Sequence, residues 1–80
     1  MRGFAINDRS PEHPYQQLAA QLRERITSGE ITDRLPSLTE LAGQTGLALN
    51  TVQRAVRILK AEGLVYSVPG RGTFARPPEA

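Results

Sequence analysis

The chain has 80 residues and a mass of 8.8 kDa, which allows one small domain with a single core. It contains no cysteine, which excludes a disulfide framework, a thiolate metal site and a cysteine nucleophile. No apolar run approaches the roughly 20 residues that span a bilayer, and Asn7 and Asp8 interrupt the N-terminal apolar stretch too early for a signal peptide. We therefore expect a cytoplasmic location and no membrane contact.

The net charge of +2 is distributed unevenly along the chain. Residues 1–49 carry five basic and six acidic side chains, whereas residues 50–80 carry five basic and two acidic ones. A basic half on a small domain points to a polyanionic partner only if its arginines share one face.

The two ends of the sequence show little periodicity. We expect residues 1–13 to form a loose arm, in which the two-residue spacing of Phe4 and Ile6 allows a short strand. Residues 77–80 are expected to fray. The predicted organisation is therefore an arm (1–13), one folded domain (14–76) and a tail (77–80).

Two helices are predicted in the first half of that domain. The first begins at Pro14, a residue well suited to a first helical turn, and ends at Gly29; Leu18, Leu22 and Ile26 form its apolar stripe. The second begins after Ser37, which forms a capping-box pattern with Glu40, and ends near Thr45, before Gly46.

A third helix is predicted to begin near Leu49 or Asn50 and to end at Gly63. Its start is open, because Asn50 with Gln53 offers a second capping-box pattern, while Ala48 is the other candidate boundary. An apolar stripe of Val52, Ala55, Val56 and Leu59 lies opposite a polar face of Asn50, Gln53, Arg54 and Arg57.

Two short segments rich in β-branched and aromatic residues follow, at 64–68 and 73–76, and the Gly-containing loop 69–72 separates them. This pattern predicts a β-hairpin. Three helices and a hairpin in this order indicate a mainly α fold, the winged helix-turn-helix. Its third helix, about 10–12 Å across, would project and fit the major groove of DNA, which is about 12 Å wide.

Candidate DNA-contacting residues follow from this geometry. Asn50, Thr51 and Gln53 offer hydrogen bonds to bases or backbone, and Arg54 and Arg57 offer charge. In the hairpin loop, Gly70 and Gly72 allow a close approach by Arg71, which would enter a minor groove. Ser37 and Thr39 begin the second helix, whose positive end favours a phosphate.

Five segments together resemble the N-terminal DNA-binding domain of GntR-family transcriptional regulators, from Pro14 to about Ala75. They are residues 14–18 (PYQQL), 35–37 (LPS) followed by 40–42 (ELA), 51–55 (TVQRA), 59–65 (LKAEGLV) and 70–74 (GRGTF). The resemblance implies a bacterial repressor that binds an inverted-repeat operator in double-stranded DNA as a dimer. It also implies that the third helix binds the major groove and the wing the minor groove.

Three positions depart from the family pattern. The family usually has arginine where this chain has Thr39, Leu49 and Gln53, so the operator sequence and the binding strength are open. Family members also usually carry a C-terminal effector and dimerisation domain, which this sequence lacks. The chain is expected to be either an excised domain or a stand-alone protein.

An enzyme is not expected. His13 is the only histidine and lies in the arm, and no residue pattern indicates a metal, a cofactor or a catalytic group. The alternative function is a protein-binding winged helix that docks through Leu49 and Ile58, because a fold alone does not determine function.

Overall fold

The computed structural model describes residues 3–76 and has three helices followed by one antiparallel hairpin, as predicted. The helices are α1 (Pro14–Thr27), α2 (Leu38–Thr45) and α3 (Leu49–Ala61), and the strands are β1 (Val65–Val68) and β2 (Gly72–Ala75). The predicted tail at 77–80 lies outside the described residues. The division into arm, domain and tail therefore remains a prediction.

The start of α2 confirms the predicted capping box. The Ser37 hydroxyl accepts a hydrogen bond from the Glu40 amide at 3.0 Å, and the Glu40 carboxylate accepts one from the Ser37 amide at 2.8 Å. The helix ends at Gly46, whose φ of 76° is left-handed and reverses the chain direction. Only residues 46–48 then separate α2 from α3.

The structure places the start of α3 at Leu49, a boundary that the sequence left open. The residue that precedes the helix is Ala48, which offers no side-chain cap, and the Asn50–Gln53 box does not cap the helix because Asn50 already lies inside it. The predicted apolar stripe is confirmed, since Val52, Ala55, Val56 and Leu59 are all buried.

The core lies mainly between α1 and α3. The α1 stripe of Leu18, Leu22 and Ile26 is buried, as predicted, together with Leu41 of α2. Because α3 uses one stripe for this core, its opposite face is available to solvent.

The hairpin has a neighbour that the sequence did not reveal. Its register pairs Val65 with Ala75 at the open end and Val68 with Gly72 at the tip. On the outer side of β2, the segment before α2 runs alongside it. The Leu35 amide donates to the Thr73 carbonyl at 2.9 Å, and the Ala75 amide donates to the Asp33 carbonyl at 2.7 Å. This pairing places Arg34 opposite Phe74.

The expectation of a loose arm is wrong for residues 3–12, which α1 holds through three of its side chains. Arg25 donates to the Gly3 carbonyl at 2.6 Å. Gln21 exchanges two hydrogen bonds with the backbone of Ala5, and Gln17 does the same with Asn7. Gln17 also donates to the Glu12 carbonyl at 2.8 Å.

The spacing of these contacts explains why they form. Residues 17, 21 and 25 lie one helical turn apart, about 6 Å each, and two residues of extended chain span about 6.6 Å. Alternate arm residues therefore meet successive turns of α1. The residues between them, Phe4 and Ile6, pack against the core. Their two-residue spacing reflects an extended chain, as the sequence suggested, but side-chain amides replace the neighbouring strand.

Candidate nucleic-acid interface

The exposed face of α3 carries three of the five predicted residues of this helix. Asn50, Gln53 and Arg57 are all exposed. Lys60 continues the same face, because it follows Arg57 by three residues and Gln53 by seven. The prediction omitted Lys60, although its helical spacing was visible in the sequence.

This face borders a cleft of about 270 Å³ between α3 and the hairpin. The hairpin contributes Ser67 and Thr73, whose hydroxyl oxygens lie 3.4 Å apart. Within the described part of the chain, the cleft has two positive charges and no carboxylate in its lining, which comprises Leu38, Gln53, Val56, Arg57, Lys60, Ser67 and Thr73. Such a surface suits an anion with many acceptor oxygens.

Two further basic side chains, Arg34 and Arg71, lie near the hairpin tip. Arg71 is exposed, and its amide donates to the Val68 carbonyl at 2.9 Å to close the turn. Gly70 and Gly72 flank it with φ values of 76° and 115°. Arg34 lines the same groove as Arg71, next to Phe74. The sequence did not indicate this role, because Arg34 reaches the hairpin only through the unpredicted pairing with β2.

Two predicted residues lie on a different flank of α3. Arg54 is exposed, and its guanidinium lies over the ring of Tyr15 in α1, 4.0 Å from the ring centre. Thr51 is half-buried. The structure therefore separates Arg54 and Thr51 from the face that borders the cleft, and orients Arg54 by a cation–π contact.

At the start of α2, the Ser37 hydroxyl is occupied by the capping box, whereas Thr39 is exposed. The hydrogen bond from the Ser37 amide lowers the pKa of the Glu40 carboxyl below its ordinary value, with a further contribution from the Ser37 side chain. The Glu40 carboxylate therefore already accepts the hydrogen bond of the Ser37 amide at the start of α2.

The one acidic residue at the end of α3 is neutralised. Glu62 accepts two hydrogen bonds from the Arg23 guanidinium of α1, at 2.8 and 2.7 Å. The bond from Arg23 lowers the pKa of the Glu62 carboxyl, and the same bond raises the pKa of Arg23. The contact holds this carboxylate against α1.

Leu49 and Ile58, the residues of the alternative protein-docking surface, do not form a single patch. Leu49 and Ile58 lie nine residues apart, which corresponds to about 180° around an α-helix. Leu49 is exposed, whereas Ile58 is half-buried and lines a depression with Ala19, Ala20 and Arg23 of α1. The two side chains therefore lie on opposite flanks of α3.

Metal sites and membrane-spanning helices would indicate other classes of function. Among residues 3–76, no three His, Asp or Glu side chains come together in a way that could hold a metal ion. The same residues include no helix long and apolar enough to cross a membrane.

The three helices, the tight turn at Gly46 and the hairpin define a winged helix-turn-helix domain. Residues 14–75 match the family described as "Bacterial regulatory proteins, gntR family". The chain therefore belongs to the GntR family of bacterial regulatory proteins, which places it among regulators rather than among enzymes.

Two curated relatives illustrate the similarity. The chain is 42% identical over 76 residues to the HTH-type transcriptional repressor NagR of Bacillus subtilis (strain 168), covering 92% of this chain and 31% of NagR. It is 37% identical over 71 residues to the HTH-type transcriptional repressor YtrA of the same organism, covering 86% of this chain and 55% of YtrA. The chain thus spans about a third and about half of these relatives.

Solved structures agree in fold. AraR(DBD) in complex with operator ORX1 is 28% identical, with a TM-score of 0.80 over 95% of this chain and 100% of that one. YtrA from Sulfolobus acidocaldarius, a GntR-family transcription factor, is 33% identical, with a TM-score of 0.80 over 96% of this chain and 66% of that one.

Proposed function

We propose that this chain is the sequence-specific DNA-binding domain of a bacterial transcriptional regulator that acts as a repressor. In this proposal, α3 binds in the major groove and the hairpin tip, residues 70–72, binds in the adjacent minor groove. The observation that carries the proposal is the cleft, which joins the basic face of α3 to the hairpin without a carboxylate in its described lining.

The cleft has a specific role in this arrangement. One phosphodiester strand separates a major groove from its neighbouring minor groove, so it must cross the surface between α3 and the hairpin. Arg57 and Lys60 supply charge along this path, and the hydroxyls of Ser67 and Thr73 supply hydrogen bonds. Such contacts position a protein on DNA without selecting sequence.

We assign base selection to the exposed face of α3. Asn50 and Gln53 have the amide groups that pair with the major-groove edge of adenine, and Arg57 has the guanidinium that pairs with guanine or a phosphate. Arg54 and Thr51 face the strand on the α1 side of the helix. Ser37 and Thr39 approach a phosphate near the start of α2, where Thr39 offers the free hydroxyl.

The partner is double-stranded DNA, and we propose an inverted-repeat operator bound by two copies of the chain in the cytoplasm. A single domain of this size makes few contacts, whereas two half-sites bound together raise affinity by orders of magnitude. The complex of AraR(DBD) with operator ORX1, at 28% identity and a TM-score of 0.80, supports the choice of partner.

The deciding experiment is a selection from a pool of randomised duplexes, with affinities of the selected sequence measured at several salt concentrations. We expect enrichment of one short motif, arranged as an inverted repeat. For each bound copy of the chain, the logarithm of the association constant should fall with the logarithm of salt with a slope of about −4, as four or five phosphate contacts require. A chain that enriches no motif, or whose binding is insensitive to salt, would contradict the proposal.

A further inference from the structure

One apolar side chain stands alone on the face of α3 that we assign to DNA. Leu49 is the first residue of the helix, and 46% of its surface is exposed. It is one of two exposed large apolar residues among residues 3–76, and the other, Tyr66, stacks on Phe74 and lies beneath the Arg76 guanidinium. Leu49 is not among the residues packed against the core.

The surroundings of Leu49 are polar. Gln53 and Arg57 follow it at four and eight residues and so lie on the same face, and Asn50 is its neighbour in sequence. Ile58, the other apolar side chain outside the core stripe, lies on the opposite flank. An isolated leucine is far too small for a protein interface, which needs a cluster of buried anchors over about 1,000 Å².

The occupant that matches one apolar group among hydrogen-bonding side chains is a base edge. In the major groove, the C5-methyl group of thymine is the apolar group that the bases present. We infer that Leu49 contacts this methyl group and so selects a thymine in each half-site. This inference rests on the proposed function and adds an apolar contact to the polar base contacts proposed for Asn50 and Gln53.

The helix also determines where this thymine lies. Leu49 and Gln53 are separated by one turn, about 6 Å along the axis, and successive bases on a strand are about 3.4 Å apart. The selected thymine should therefore lie within about two base pairs of the pair contacted by Gln53.

The test uses the full chain and the duplex obtained from the selection. Each thymine is replaced in turn by deoxyuridine, which removes the methyl group and keeps the O4 acceptor. We expect one position in each half-site to lose about four-fold in affinity, the size expected for one methyl group removed from water. In the Leu49→Ala variant, this loss should disappear at that position only.

Two controls make the result decisive. Tyr66→Ala removes the other exposed apolar side chain and should leave every thymine-to-uridine ratio unchanged. Gln53→Ala should change base preference within about two pairs of the sensitive thymine. The inference is overturned if Leu49→Ala and the unaltered chain give the same ratios at all positions. A chain that selects no duplex at all would instead overturn the proposed function, and this inference with it.

Discussion

The Nε atom of Arg34 lies 3.0 Å from the point where a Cβ of Gly72 would stand. The backbone of Gly72 also has a φ of 115°, which side chains of L-residues rarely adopt. The hairpin tip thus depends on a glycine at position 72 for two independent reasons, its positive φ and the close approach of the Arg34 side chain.

Gly72→Ala should destabilise the chain by about 1–2 kcal/mol, because alanine tolerates a positive φ poorly and its Cβ would displace Arg34. Urea denaturation measures this change. Gly43→Ala is the matched control: nothing lies within 4 Å of its added Cβ, and it sits inside α2 without a positive φ. That variant should be more stable by about 0.5–1 kcal/mol. Equal effects at both glycines would contradict the requirement for glycine at position 72.

Arg71→Ala should weaken binding to all duplexes, because the positive charge of Arg71 attracts the phosphate backbone of any sequence. The salt slope should become shallower by about one unit. Fluorescence anisotropy at several salt concentrations measures both. Arg76→Ala serves as the control, since Arg76 follows β2 at the open end of the hairpin and stacks on Tyr66. Unchanged affinity at low salt would remove the hairpin tip from the interface.

Gln53→Ala and Lys60→Ala should separate base selection from backbone contact. The first should change the preference at one base pair, by about 1–3 kcal/mol. The second should weaken all duplexes equally and make the salt slope shallower by about one unit. A randomised-duplex selection on each variant makes the comparison. An altered motif with Lys60→Ala, or an unaltered one with Gln53→Ala, would show that the two assignments are wrong.

The contact between Arg23 and Glu62 predicts a pH dependence. Because folding lowers the pKa of both Glu62 and Glu40, the unfolded chain binds more protons near pH 4.5, the ordinary value for glutamate. The stabilisation is therefore complete well above this pH and is lost as pH falls through the folded values. Thermal unfolding between pH 3 and pH 7 should show a shallower loss for Glu62→Gln than for the unaltered chain.

The Glu62→Gln effect should be well under about 1 kcal/mol, because both partners are exposed and salt screens the pair. Repeating the scan in high salt should shrink the difference further. A Glu62→Gln variant that loses stability with the same slope would mean that the ion pair contributes nothing to folding.

Gln17→Ala should release the arm. Gln17 is 6% exposed and exchanges hydrogen bonds with Asn7, so its loss leaves the Asn7 amide without that partner. Because Asn7 is exposed, water can replace the lost partner, and each lost hydrogen bond should cost about 0.5–1.5 kcal/mol. Hydrogen exchange should become faster at the Asn7 amide. Gln44→Ala is the control, since Gln44 is an exposed glutamine in α2. Equal exchange rates at Asn7 in both variants would contradict this role of Gln17.

Much of the fold was predictable because its signals are local. Ser37 with Glu40 gave the start of α2, Gly46 its end, and the spacing of Val52, Val56 and Leu59 the buried face of α3. Each depends on residues within a few positions of one another. The start of α3 was open because Ala48, which precedes it, carries no capping group.

The features that the sequence did not reveal depend on contacts between distant residues. Arg34 lines the same groove as Arg71 only because its segment pairs with β2, and Arg54 lies over Tyr15 only because α1 packs against α3. The contacts made by Gln17 were hidden because glutamine on a helix is usually exposed. Lys60 is different, since its position on the α3 face could have been inferred from spacing alone.

Three α1 side chains, Gln17, Gln21 and Arg25, hold the residues that precede the helix, and this affects how the domain can be fused to another protein. The family match begins at residue 14, yet α1 side chains also hold the preceding described residues from Gly3 onward through hydrogen bonds. A chimera joined at residue 14 would leave Arg25, which is 2% exposed, without the Gly3 carbonyl and the Phe4 ring that now cover its guanidinium. Fusions of this domain should therefore keep residues 3–13 together with α1.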